Sequence, residues 1–253
     1  MHAQIVLFDG FDPLDVIAPY EVLHAGGTAS GGAVSVELVS AEGPREVVSG
    51  TGGLVLRATG TLDPGRAGLV LVPGASGRVG EPGEVPDAVP DAVPDADPDA
   101  DPDPDPDPDP DPGAGEGQWR QDEFIPVLIG RTLTTELPAL LGAAMANPRM
   151  TVAAVCGGSL VLAMAGLLEG RHATTHHLGL DVLDATGVHA VRARLVDDGD
   201  LVTGAGVTSG LDLGLYLLER EVGPRIAQAV EELFAHERRG TVWRERGPVP
   251  TGF

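Results

Sequence analysis

The chain has one cysteine in 253 residues, few aromatics (4%) and no apolar run long enough to span a bilayer. A single thiol excludes an internal disulfide and fits a reducing, cytoplasmic setting. With so few rings, a core must be built from Val, Leu and Ala, and 42% hydrophobic residues supply enough of them. The start, MHAQIVLFDG, puts no basic segment ahead of an apolar one, so neither a signal peptide nor a membrane partner is expected. Basic residues are also scarce, 16 against 38 acidic, for a net charge of −22. No basic face for nucleic acid is therefore expected.

Much of the acid is local. Glu81–Pro112 holds 11 Asp, 2 Glu and no basic residue, which leaves a net −9 for the remainder. Val-Pro-Asp-Ala recurs three times over Val85–Ala96, and Asp-Pro pairs complete the run to Pro112. Proline removes donors and disfavours helix at the residue before it, and like charges at every second position repel. Residues 81–117 are expected to form a disordered insertion, looped out of one domain spanning 1–239. Residues 240–253 read as a loose C-terminal tail.

Thr151–Gly166, TVAAVCGGSLVLAMAG, contains the lone thiol. Thr151–Val155 reads as a buried strand. Cys156 follows, then Gly157, Gly158 and an apolar helical segment. A nucleophile presented on a strand-to-helix turn is an elbow, and the free N–H groups of the next helix would favour thiolate. A lone cysteine closing a buried strand is equally read as a small core residue.

In order, Gln4–Phe8 predicts a first strand. A helix follows with Asp12 as cap and Pro13 at its first position, interrupted or kinked at Pro19 and stopped by Gly26-Gly27. Val34–Val39 and Leu69–Val72 are further strands, with a hairpin over Val47–Ala58 between them. Two helices are expected over Phe124–Asn147. Val188–Val196 and Leu201–Thr203 suggest a hairpin, then Thr208–Glu221 and Pro224–Arg238 suggest helices. Alternating strands and helices give an α/β fold: a flavodoxin-like, doubly wound, mostly parallel sheet with helices on both faces. The turn after Val72, the elbow and the start of the first helix would meet at its carboxyl edge. Asp15, in that helix's first turn, reads from its position alone as an acid favoured by the helix dipole. His172, His176 and His177 raise a metal reading, but their ligand set is incomplete and no metal or cofactor is expected.

Four stretches carry a family resemblance: FDGFDPLDVIAPYEVL, LVLVPGASG, VAAVCGGSLVLAMAGLLEGRHATTHH and DGDLVTGAGVTSGLDLGLYLLE. Together they resemble the ThiJ/PfpI superfamily, of class I glutamine amidotransferase-like fold, in the branch of isonitrile hydratases and AraC-type regulator ligand domains. The resemblance implies a nucleophile at Cys156 and an aspartate partner at Asp15. It also implies an anion pocket at Gly74, Ala75 and Gly157, a pocket lining that includes His176 and Thr208, and a homodimer acting on a small-molecule electrophile. One position departs: the hydratases carry Thr after the cysteine, and this chain has Gly157. The implied activity is hydration of an isonitrile to an N-formamide through a thioimidate on Cys156, with Asp15 as acid and base. The alternatives are a non-catalytic ligand-binding or redox-sensing domain, and glyoxalase-type activity on α-oxoaldehydes. A helix-turn-helix like that of the regulators is not expected in the sequence after Val222.

Overall fold

The computed structural model describes residues 1–80 and 124–249. The acidic repeat and the insertion expected over 81–117 lie outside the described residues. Arg78 and Phe124 form a β-bridge, and the Ile125 N–H donates to the Arg78 carbonyl at 2.9 Å.

The strands are β1 (His2–Val6), β2 (Ser35–Ser40), β3 (Arg45–Val48), β4 (Val55–Ala58), β5 (Gly60–Thr61), β6 (Gly68–Val72), β7 (Met150–Val155), β8 (His172–Ala173), β9 (His189–Ala190), β10 (Leu195–Asp197) and β11 (Leu201–Gly204). The helices are α1 (Pro13–Ala29), α2 (Ile125–Thr132), α3 (Leu137–Met145), α4 (Gly158–Met164), α5 (Leu180–Ala185), α6 (Ser209–Glu221) and α7 (Pro224–Phe234). Seven strands form one sheet in the order β10-β11-β7-β6-β1-β2-β5. Every neighbouring pair in it is parallel except β10 with β11. β1, β6 and β7 are near-continuous apolar runs, as expected of strands covered on both faces.

The connection β1–α1–β2 moves along the sheet in one direction, and β6 to β7 through α2 and α3 moves in the other. Right-handed crossovers then put the two helix groups on opposite faces. Accordingly α1, α6 and α7 pack on one another, whereas α2 and α5 pack on α4. The direction reverses between β1 and β6, the switch point at which doubly wound sheets open a crevice at their carboxyl edge.

Asp12 caps α1, its carboxylate accepting from the Leu14 N–H at 2.9 Å, with Pro13 at the first position. Four sequence expectations need correction. The first helix is not interrupted at Pro19, which lies inside the unbroken α1. The helix does not stop at Gly26-Gly27 but runs to Ala29, because Gly26 is there for packing: a Cβ at that position would lie 2.4 Å from Leu218 Cδ2 of α6. Only Leu195–Asp197 of the segment expected over Val188–Val196 joins the hairpin with β11, while β9 pairs in parallel with β8. The tail is not loose at its start. Trp243 exchanges hydrogen bonds with Leu195 and Asp197, both at 2.9 Å, and Arg244 donates to Asp197 and to the Tyr216 hydroxyl.

Candidate active site

Cys156 follows β7 with φ of +55°, a left-handed conformation that a non-glycine residue adopts at a cost of about 1–3 kcal/mol. Its backbone is held on every side. The Cys156 N–H donates to the Gly204 carbonyl at 3.0 Å. Its own carbonyl accepts from Thr175 Oγ1 at 2.7 Å and Ser159 Oγ at 3.2 Å. Behind Thr175, the Thr174 N–H donates to Thr203 Oγ1 at 2.9 Å, tying the loop to β11. The turn into α4 also needs a residue without a side chain, since a Cβ on Gly158 would sit 2.1 Å from the Val72 carbonyl oxygen. The elbow expected from the sequence is therefore present and rigid.

Asp15 is fully buried in the first turn of α1. Its Oδ2 accepts from the Gly74 N–H at 2.9 Å, and its Oδ1 has no partner in hydrogen-bonding geometry. Gly74 brings three elements together: a Cβ there would lie 2.7 Å from the Gly157 nitrogen and 2.8 Å from Asp15 Oδ2. Burial first, and then the charge of Asp12, push the Asp15 carboxyl up to about 8; the Gly74 N–H and the nearby Cys156 thiol oppose that rise. Burial, followed by the charge of Asp15, also pushes the thiol well above its usual range, against the Gly157 N–H that hydrogen-bonds it. The sequence suggested that the following helix would favour thiolate. α4 has only seven residues, and its N-terminal pull is outweighed by desolvation and by the neighbouring carboxyl. Both shifts favour the neutral forms, thiol and carboxylic acid.

Among the expected residues, Asp15, Gly74, Ala75, Cys156 and Gly157 meet at one place. A Cβ on Gly157 would lie 3.5 Å from Gly74 Cα, 3.6 Å from Ile129 Cδ1 and 3.8 Å from the Ala75 nitrogen, so α2 supplies an apolar wall beside the elbow. His176 sits next to Thr175. Its Nδ1 accepts from the Leu178 N–H, its ring lies 4.2 Å from that of His177, and burial, with His177 beside it, holds it below the usual imidazole range. Thr208 is exposed, with its carbonyl and hydroxyl taken by the Arg194 guanidinium, and no contact joins it to Cys156 or Asp15. Its neighbour Ser209 is the buried hydroxyl of that turn, and its Oγ is without a partner. His172 stands apart from His176 and His177, its ring 4.9 Å from His189 and 5.0 Å from Trp243. Among the described residues no three His, Cys, Asp or Glu side chains are placed to hold a metal, and no helix is long and apolar enough to cross a membrane. Thr175 and Ile129 were missed in the sequence; the β-branched ATT before the histidines was the signal for the former, and nothing local marked the latter.

The model of the DJ-1/PfpI family matches residues 133–220, from the end of α2 to the last turn of α6. The chain resembles that family and has its fold. An isonitrile hydratase of Pseudomonas putida is 49% identical over 80 residues, 32% of this chain and 35% of that protein. The HTH-type transcriptional regulator CdhR of Pseudomonas aeruginosa is 39% identical over 87 residues, 34% of this chain and 26% of the regulator. These matches thus span about a third or less of the curated relatives. A crystal structure of a ThiJ/PfpI family protein from Pseudomonas syringae superimposes with a TM-score of 0.65 at 21% identity, covering 94% of this chain and 76% of the other. The DJ-1/PfpI-like segment contains the elbow and Thr175, whereas Asp15 and Gly74 lie ahead of it.

Proposed function

We propose that this chain is a cysteine-dependent hydratase of small electrophiles that converts isonitriles to N-formamides. The observation that carries the reading is the buried Asp15–Cys156 pair, an acid with one free oxygen beside a nucleophile on a strained elbow. Asp15, protonated at neutral pH, gives its proton to the terminal carbon of R–N≡C, which becomes electrophilic. The sulfur bonds to that carbon as the thiol proton passes to the Asp15 carboxylate, so the protonated acid is restored and the thioimidate R–N=CH–S–Cys156 forms. Water then adds to the C=N carbon with Asp15 relaying the proton to nitrogen. Collapse breaks the C–S bond, returns the proton to sulfur and releases R–NH–CHO. No net proton is gained or lost, which suits a pair that rests neutral. The N–H groups of Gly157 and Ala75 are the donors proposed for the developing charge, and Ile129 the wall that favours an apolar substituent. Association as a homodimer belongs to the same proposal, and sedimentation velocity is expected to give a dimer.

The test is conversion of phenyl isonitrile to N-phenylformamide, followed by chromatography. Turnover by the wild type and none by Cys156→Ala is expected; equal conversion by both would remove Cys156 from the chemistry. A second reading, ligand binding without turnover, is supported by the similarity to the regulator CdhR. Redox sensing is weaker, because a buried thiol held in its protonated form reacts slowly with oxidants.

A further inference from the structure

Three glycines meet at the reacting centre, and packing dictates two of them. A Cβ on Gly74 would lie 2.7 Å from the Gly157 nitrogen, and one on Gly158 would lie 2.1 Å from the Val72 carbonyl oxygen. Nothing in the fold dictates the third. Gly157 precedes α4 with φ of −68° and ψ of −4°. Thr208 precedes α6 at −72° and −7°, and Glu136 precedes α3 at −72° and −9°, so residues with side chains adopt this backbone elsewhere in the chain. Space does not exclude a side chain either. A Cβ on Gly157 would meet Gly74 Cα at 3.5 Å, Ile129 Cδ1 at 3.6 Å and the Ala75 nitrogen at 3.8 Å, all ordinary van der Waals contacts. Glycine at a position open to alanine gives the unfolded chain extra freedom with no compensating contact in the folded state. Gly130 and Gly206 are also unforced, but it is Gly157 whose N–H hydrogen-bonds the Cys156 sulfur. The slot left by its missing side chain therefore lies against the nucleophile, walled by Gly74, the Ala75 nitrogen and the buried Ile129.

We propose that Gly157 is a specificity residue: the slot above its Cα receives the substituent on the isonitrile nitrogen, and the preferred substrates are aryl isonitriles. The substrate class rests on the hydratase reading above; the open slot beside the sulfur does not. In the thioimidate R–N=CH–S–Cys156 only one carbon and one nitrogen separate R from the sulfur, so R is confined to the immediate surroundings of the elbow. A carbon placed where the Cβ is missing makes near-optimal dispersion contact with Gly74 Cα and Ile129 Cδ1. A flat ring enters such a gap edge-on and meets the apolar wall of Ile129. A side chain at residue 157 would compete with it for the same space.

Two arms test this. The first compares phenyl with methyl isonitrile in wild type, Gly157→Ala and the double variant Gly157→Ala/Ile129→Val. Wild type is expected to favour phenyl isonitrile in kcat/KM. The ratio of phenyl to methyl should fall about tenfold in Gly157→Ala, the size of effect that one methyl has in an apolar pocket. Ile129→Val removes the Cδ1 that lies 3.6 Å from the added methyl, so the double variant should recover most of the ratio. A misplaced Gly157 N–H would slow both substrates and would not be repaired from Ile129. No preference for phenyl in wild type, an unchanged ratio in Gly157→Ala, or no recovery in the double variant overturns the proposal. The second arm needs no turnover. Iodoacetamide and its N-phenyl derivative are compared as alkylating agents of Cys156 at pH 9, the sulfur displacing iodide from each. Gly157→Ala should lower the rate for the N-phenyl reagent about tenfold relative to iodoacetamide, and the double variant should recover it. That result without hydration of any isonitrile supports the slot and counts against the hydratase reading alone. Equal effects on the two reagents, or no alkylation of wild type by the larger one, overturn the slot.

Discussion

Replacing Asp15 by Asn should change how the stability of this protein depends on pH, and the size of the change follows from the site. The Asp15 carboxyl has an ordinary value of 3.8 and is raised to about 8 when folded. The folded state therefore holds the proton more tightly than the unfolded chain. Its contribution to stability is fully present below about pH 4, is lost progressively as pH rises toward 8, and levels off above that. Each pH unit in the window is worth about 1.4 kcal/mol, so wild type should lose about 4 kcal/mol from this group between pH 5 and pH 8. The amide of the Asp15→Asn variant cannot titrate. It can keep the Gly74 hydrogen bond through its own oxygen, and any cost of its buried NH2 does not vary with pH. Cys156 titrates above this window and other groups cancel in the comparison. Urea unfolding at pH 5 and pH 8 is the assay. The variant's stability relative to wild type should rise by about 4 kcal/mol between the two, equivalent to roughly 8–16 °C in Tm for a chain of this size. A difference that is the same at both values would refute the buried, protonated carboxyl.

Three further outcomes are expected. Iodoacetamide should label Cys156 slowly at pH 7, with a rate that still climbs beyond pH 9, and Asp15→Asn should label faster at pH 9 because a negative neighbour is gone; a plateau below pH 8 would show a low thiol pKa. Gly158→Ala should fail to fold or lose more than about 3 kcal/mol, since its methyl meets the Val72 carbonyl, whereas Gly157→Ala should cost under about 1 kcal/mol because its nearest neighbour is 3.5 Å away; equal effects in denaturant unfolding would contradict this. Thr175→Val removes the hydroxyl that holds the Cys156 carbonyl and should cost about 1–2 kcal/mol in the same assay while lowering turnover; unchanged values of both would show that the elbow does not depend on it.

The parts of this site that could be seen in the sequence are those written locally. The β-branched run before Cys156 and the small residues after it announce a strand, a turn and a helix without reference to the rest of the chain. Asp12-Pro13 likewise announces the start of α1, and Asp15 follows. Glycines were read less well, because the same residue serves two ends. Gly26 looked like a helix stop and is instead a contact with Leu218 of α6, a partner far away in the chain. The tail was misread for a similar reason: Trp243 and Arg244 are fixed by Leu195, Asp197 and Tyr216, none of them near in sequence. Thr208 and Ser209 are adjacent, and only the packing of α6 decides that Ser209 faces inward and Thr208 meets Arg194. The charge state of Cys156 depends on burial beside Asp15, which no local pattern reports.

The pH profile of kcat/KM for phenyl isonitrile, measured in wild type and in Cys156→Ala, tests the central claim most directly. Catalysis by a protonated Asp15 beside a neutral thiol should give a rate that is level near neutral pH and falls above about pH 8, with no turnover in the variant. A rate that rises through pH 9 with the thiolate, or a variant that still makes the formamide, would contradict it.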